Sequence, residues 1–264
     1  MKKSTLLLSF ALLPLVVLLA SCSQEKSRKC EEVQASVPVK EVQFTARDGV
    51  QVFADLYTQS ATAPILLMFH QAGANGRGEY GPIIPRLLEH GYNLLVVDQR
   101  TGGENFGCTN RTAKQFGQEV SYCEAYPDVE AALDFVLGRG FSGPTVAWGS
   151  SYSAALAVKL AHDHPHDVEA VLAFSPATGE AMGSCQPNPL FVNLQPKLLV
   201  LRPAKEAEIP SVQEQLAFAK ENGHPTYVAE SGVHGSSMLV AERTESVVEP
   251  TWEVVERFLK SVER

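Results

Sequence analysis

Five short runs, ILLMF (65–69), NLLVVD (93–98), TVAW (145–148), VEAVLAF (168–174) and KLLVL (197–201), are apolar at nearly every position. A strand with one wet face alternates apolar and polar residues. A strand that is apolar throughout must be covered on both faces, the condition of a parallel sheet flanked by helices. Helical stripes fill the gaps: Val129, Ala132, Leu133 and Val136 share one face, and Val255, Phe258, Leu259 and Val262 another. Ser211 and Glu214 have capping-box spacing, placing a helix start near Val212, with Gly223 positioned to end it. Ahead of these units EVQFTA and QVFADLY flank Asp48-Gly49 and alternate, which predicts an antiparallel hairpin at a sheet edge. The pattern predicts one α/β domain over 37–264, and a 264-residue chain with 45% hydrophobic residues can bury its core.

The run TVAW leads through Gly149-Ser150-Ser151-Tyr152-Ser153 directly into the Ala-rich segment AALAVKLA. Strand, tight turn and helix are the setting of a nucleophile elbow, where the residues two before and two after the serine must be small. Ser151, between Gly149 and Ser153, meets that demand; Ser150, between Trp148 and Tyr152, does not. On these residues the domain resembles the α/β-hydrolase family, serine esterases and dienelactone hydrolases among them, with Ser153 replacing the second glycine of G-x-S-x-G.

The resemblance implies the order serine, acid, histidine. A serine hydroxyl needs a general base, itself oriented by an acid. His234 in ESGVHGSSM, after the last strand-like run and before the final helix, takes the base position. The segment RPAKEAEIP is similar to the family's HGxxDxxVP, which lays Glu206 on the acid and Pro210 on the closing proline, with Glu208 and acids elsewhere as alternatives. HQAGANGRG resembles the family's HG-type turn. It implies an oxyanion hole built from the backbone amides of Gln71 and Tyr152. The segment 176–196 is too short for a large helical cap, so a minimal cap and an open site are expected.

Residues 1–21 read as a secretory signal: Lys2 and Lys3, an apolar run from Leu6 to Ala20, then Leu19-Ala20-Ser21-Cys22. That ending resembles the lipobox of bacterial lipoproteins and implies a diacylglycerol on Cys22, followed by a polar tether over 22–36. Ser23 resembles the signal for outer-membrane sorting in Gram-negative bacteria. Export puts the remaining cysteines in an oxidising compartment. Cys108 and Cys123 bracket one polar loop and are the expected disulfide; Cys30–Cys185 would follow by elimination, although four cysteines permit three connectivities. The run HDHPH (162–166) falls at a helix end beside Pro165 and reads as a solvated loop; no metal site and no cofactor are expected.

Loss of residues 1–21 removes two lysines and no acid, taking the formal charge from −8 to −10. Such a chain repels a phosphate backbone, which argues against nucleic acid as a partner. The expected function is a lipid-anchored serine hydrolase acting on small carboxylic esters. The alternatives are a serine peptidase or amidase on the same triad, and a catalytically silent binding lipoprotein. Oligomeric state is not legible.

Overall fold

The computed structural model describes Cys30 and residues 35–263; the leader, Cys22 and most of the tether lie outside them. Eight strands form one sheet: β1 Lys40–Thr45, β2 Gln51–Tyr57, β3 Ile65–Phe69, β4 Asn93–Asp98, β5 Thr145–Ser150, β6 Ala170–Phe174, β7 Lys197–Pro203 and β8 Thr226–Ala229. Their order is β1-β2-β4-β3-β5-β6-β7-β8. The β1–β2 and β2–β4 pairs are antiparallel and the others parallel. The helices are α1 Gly76–Tyr80, α2 Ile84–Glu89, α3 Arg111–Phe116, α4 Tyr126–Leu137, α5 Tyr152–Asp163, α6 Ala204–Ala207, α7 Pro210–Glu221, α8 Ala241–Thr244 and α9 Glu249–Val262.

The continuous apolar runs are explained by two cores. Along β3, Ile65, Leu67 and Phe69 point to the face covered by α4, α5 and α7, while Leu66 and Met68 point to the face covered by α2 and α9. Val255 and Leu259 carry the inner stripe of α9 and are fully buried, each contributing about 1.5–3 kcal/mol.

The capping box expected at Ser211 and Glu214 does not form. Pro210 occupies the first turn of α7 and Ile209 its N-cap, without a side-chain cap; proline's fixed φ starts the helix earlier. Gly223 does follow its end, at φ 80°. The same chemistry operates elsewhere, where Ser121 and Glu124 cap the 3₁₀ turn Tyr122–Ala125.

The expected Cys108–Cys123 and Cys30–Cys185 disulfides are corrected: Cys30 pairs with Cys108 and Cys123 with Cys185. The reason is tertiary. Cys123 lies on the 3₁₀ turn facing the 176–196 insertion, with its sulfur beside Ser184 Oγ. Cys108 lies in the loop after β4, whose backbone is sewn to the turn after β3.

The chain passes from β3 to β4 on one side of it, then to β5 on the other. The crevice at the carboxyl ends of these strands is the topological switch point, where open α/β sheets place their sites.

Candidate active site

The β3–β5 register pairs Phe69 with Gly149, so His70-Gln71 and Ser150-Ser151 emerge side by side. Ser151 adopts φ 62°, ψ −123°, a conformation that costs about 1–3 kcal/mol for a residue with a Cβ. Its surroundings hold it there. Ser151 N donates to Phe174 O at 2.8 Å, and Ser151 O accepts from Ala154 N and Ala177 N, both at 3.1 Å. A methyl group at Gly149 would lie 2.4 Å from Ser153 O and Ala154 Cα, so glycine is the residue that lets α5 close against β5. Ser153 contributes what a glycine could not: its Oγ donates to Phe69 O at 2.6 Å and accepts from Ser150 N at 2.9 Å.

The two serines differ in access. Ser150 is fully buried, and its Oγ accepts from Ser236 N at 3.0 Å. Ser151 is half-buried.

Glu206, on α6, and His234 are brought together. Glu206 Oε1 is 2.5 Å from His234 Nδ1, and the other oxygen accepts from Arg202 Nη1 at 2.8 Å. Burial alone would raise the Glu206 carboxyl; the hydrogen bonds from His234 and Arg202 override it and hold it at about 2. Glu206 is therefore the charged partner that the imidazole faces. Arg202, itself buried, is fixed by Pro176 O and Gln215 Oε1. Glu208, at the end of α6, is exposed.

The histidine loop is tied over the elbow by its two following residues. Gly235 N donates to Ser175 Oγ at 3.1 Å, and Ser236 N to Ser150 Oγ. Gly235 sits at φ 67°, where a Cβ would meet Ser150 Oγ at 2.2 Å; only glycine brings the loop this close. His234 is 48% exposed against 17% for Glu206, so the base faces solvent while its acid is shielded. No hydrogen bond joins Ser151 Oγ to His234 among the described residues. Such contacts tighten in the substrate complex. A cavity of about 270 Å³ opens beside the pair, lined by Ala177, Thr178, Ile209 and Val212.

The turn after β3 departs from expectation. The amide of Gln71 is already committed, donating to Glu79 Oε2 at 2.7 Å. It cannot also receive an oxyanion in this arrangement. The next amide, Ala72, makes no hydrogen bond among the described residues. Tyr152 is the first residue of α5, where an amide has no carbonyl one turn back. His70 is structural. It is fully buried, its Nδ1 donates to Gln71 O at 2.8 Å, and its Nε2 accepts from Gln99 N and Asn110 Nδ2; burial holds it below its ordinary pKa, matching that neutral tautomer.

Three other histidines are engaged elsewhere: His90 with Glu256, His224 with Phe191 O, His162 with Asp163. Asp163 is further bound by Lys159 and Tyr126. Ser175, Arg202, Glu79 and Ala72 escape the sequence reading. Their parts depend on partners that no local pattern names.

Residues 59–229 match the family described as serine aminopeptidase, S33. Among solved structures, the chain is similar to an esterase of Pyrococcus furiosus, at 17% identity and a TM-score of 0.67, over 87% of this chain and 92% of that one. It is also similar to a highly thermostable carboxyl esterase of Bacillus coagulans, at 12% identity and a TM-score of 0.67, over 87% and 100% of the two chains. A third likeness is to an acylaminoacyl peptidase of Pyrococcus horikoshii, at 14% identity and a TM-score of 0.65, covering 88% of this chain and 43% of that longer one. At these identities the three structures share its fold.

Proposed function

Because the chain belongs to the serine aminopeptidase S33 family and is a serine hydrolase of α/β fold, we propose that it cleaves carboxylic esters with Ser151, His234 and Glu206. The observation that carries the reading is the 2.5 Å contact of Glu206 with His234 Nδ1, on a loop tied to the residue before a strained, accessible serine. With Nδ1 facing the carboxylate, Nε2 is left to take the Ser151 proton.

Ser151 Oγ attacks the ester carbonyl and forms a tetrahedral oxyanion. His234 accepts the proton and passes it to the departing alkoxide, leaving an acyl-serine and a free alcohol. Water then attacks the acyl-serine, giving its proton to His234, which returns it to Ser151 as the carboxylic acid leaves. The amides of Ala72 and Tyr152 receive the oxyanion, Ala72 taking the role that the sequence assigns to Gln71. Each such donor contributes about 10²-fold or more in rate.

Peptide or amide cleavage is the second reading. It is favoured by the description of the family and by the likeness to an acylaminoacyl peptidase, and the same residues would perform it. We further propose that Cys22 carries a lipid that holds the domain at the bacterial cell envelope, outer membrane favoured; the lipobox-like LASC supports this.

The test uses the mature chain with a fluorophosphonate probe, p-nitrophenyl esters and aminoacyl p-nitroanilides. Labelling and ester turnover that vanish in Ser151→Ala and persist in Ser150→Ala are expected. Turnover of the anilides alone would move the peptidase reading to first place. A folded wild type that neither labels nor turns over either substrate would leave the binding lipoprotein.

A further inference from the structure

Behind Ser151 lies a carboxyl group to which acyl transfer by serine, histidine and Glu206 gives no part. Glu79, on the short helix after the β3 turn, is 1% exposed. Its Oε2 accepts a hydrogen bond from Gln71 N at 2.7 Å. Its Oε1 is buried without a partner among the described residues, and so is Oε1 of Gln71. Around them stand Ser150, which precedes the nucleophile, and Gly235 and Ser236, which follow the base. Ser236 N binds Ser150 Oγ, and a Cβ on Gly235 would lie 2.2 Å from that oxygen and 3.0 Å from Gln71 Oε1. One buried polar cluster therefore touches the turn that offers the oxyanion amide, the strand end that offers the nucleophile, and the loop that offers the base.

Resting on the serine-hydrolase reading of Ser151, we propose that Glu79 is the positioning residue that fixes the turn after β3, so that the Gln71 amide is held inward and the Ala72 amide is left for the oxyanion. A turn that is only two residues past a strand end has few restraints of its own; here Gln71 N is held by Glu79, and Tyr80 Oη and Ser153 Oγ both bind Phe69 O just before it. Arg243, from α8, holds the helix that carries Glu79 by donating to Gly78 O and Glu79 O.

The protonation state follows from the same surroundings. The Ser150 hydroxyl has one proton to give to this cluster, and a proton on the Glu79 carboxyl satisfies the acceptor that Ser150 leaves. The groups that face it are Arg243, His234, the Ser150 hydroxyl and the phenols of Tyr80 and Tyr152. Burial raises the Glu79 carboxyl above its usual range, against the opposing pull of Ser150, Gln71, Arg243 and His234. A neutral acid suits the place, because a carboxylate behind the oxyanion turn would repel the charge that forms there. Ionisation of Glu79, as the pH rises through its elevated range, should therefore slow the reaction.

The test compares Glu79→Gln, Glu79→Leu and Ser151→Ala with wild type, as mature chains with their disulfides intact. kcat and KM for p-nitrophenyl acetate are measured across pH, with inhibition by a trifluoromethyl ketone, a mimic of the tetrahedral oxyanion, and thermal denaturation. Glu79→Leu should lower kcat about 100-fold and weaken the ketone in parallel, as loss of one oxyanion donor does, with KM nearly unchanged. Glu79→Gln, whose amide supplies both an acceptor and a donor, should recover most of the rate and lack the decline with rising pH that ionisation of Glu79 gives wild type. A folded Glu79→Leu with wild-type kcat, or a Glu79→Gln as poor as the leucine variant or declining like wild type, overturns the proposal alone. Should Glu79→Leu fail to fold, the rate and pH profile of Glu79→Gln decide it. Hydrolysis that survives Ser151→Ala, or is absent from wild type, overturns the serine-hydrolase reading and this proposal with it.

Discussion

Replacing Cys123 by serine and Cys185 by alanine tests the disulfide connectivity and the architecture of the site rim together. The bridge spans 62 residues of sequence, and closing a loop of that length lowers the entropy of the unfolded chain enough to stabilise the native state by about 4 kcal/mol at 25 °C. A short bridge between Cys108 and Cys123 would be worth about 3 kcal/mol on the same scale. Cys185 is fully buried, so alanine avoids leaving a hydroxyl there without a partner. For a domain of this size each kcal/mol moves the midpoint by about 2–4 °C, which places the expected fall at roughly 8–16 °C. Calorimetry measures it, and mass spectrometry of non-reduced peptides identifies the linkage in wild type. The 3₁₀ turn held by this bridge carries Tyr122, stacked on Tyr152 at 4.9 Å. Hydrolytic activity should therefore fall in the variant even well below its melting point. A peptide joining Cys108 to Cys123, or a midpoint within about 3 °C of wild type, would refute the reasoning.

Three further outcomes follow from the site. Ser153→Gly, which restores the commoner elbow sequence, leaves Ser150 N without its acceptor and should cost about 1–3 kcal/mol; fluorophosphonate labelling of Ser151 should persist, and its loss would mean that Ser153 does more than brace the turn. Gly235→Ala drives a methyl group into Ser150 Oγ at a positive φ and should reduce kcat about tenfold or more by displacing His234, since a shift of about 1 Å suffices; a crystal structure with an unmoved loop and full activity would contradict this. The Glu206 carboxyl, at about 2 when folded against 4.5 otherwise, stabilises the protein above pH 4.5, and that stabilisation drains away as the pH falls from there towards 2. Discounted for solvent screening it amounts to about 1–2 kcal/mol. Glu206→Gln should flatten this acid limb in denaturant titrations and lower kcat by about 10³-fold or more, as loss of the orienting acid does in serine proteases; an unchanged limb would remove Glu206 from the account.

What the sequence makes legible is what local sterics and burial decide. The strands β3 to β7 announce themselves because both faces are covered, and the elbow because Gly149 and Ser153 are forced to be small by backbone contacts within five residues. Glu206 and His234 are legible through their order along a resembled family, and they meet in the structure. The amide of Gln71 is a different case. Its fate is decided by the carboxyl group of Glu79, eight residues on, brought under it by the α1 turn, and no periodicity carries that information. The disulfides fail for a similar reason: proximity in sequence favours Cys108 with Cys123, whereas the fold turns the first towards Cys30 and the second towards the 176–196 insertion. The capping box at Ser211 is overruled by a single preceding proline.

The Cys30–Cys108 bridge also has a consequence for geography. Cys108 lies in the loop that leaves the carboxyl end of β4, the same edge of the sheet from which Ser151 and His234 emerge. If Cys22 carries the proposed lipid, the leash between membrane and enzyme is measured from that bridge rather than from β1, and it is eight residues long, with a covalent reach of about 28 Å at full stretch. Moored there, the domain would hold its catalytic rim within that reach of the bilayer. Substrates displayed on, or partitioning into, that surface would then be met at short range, and cutting this one bond would roughly double the slack.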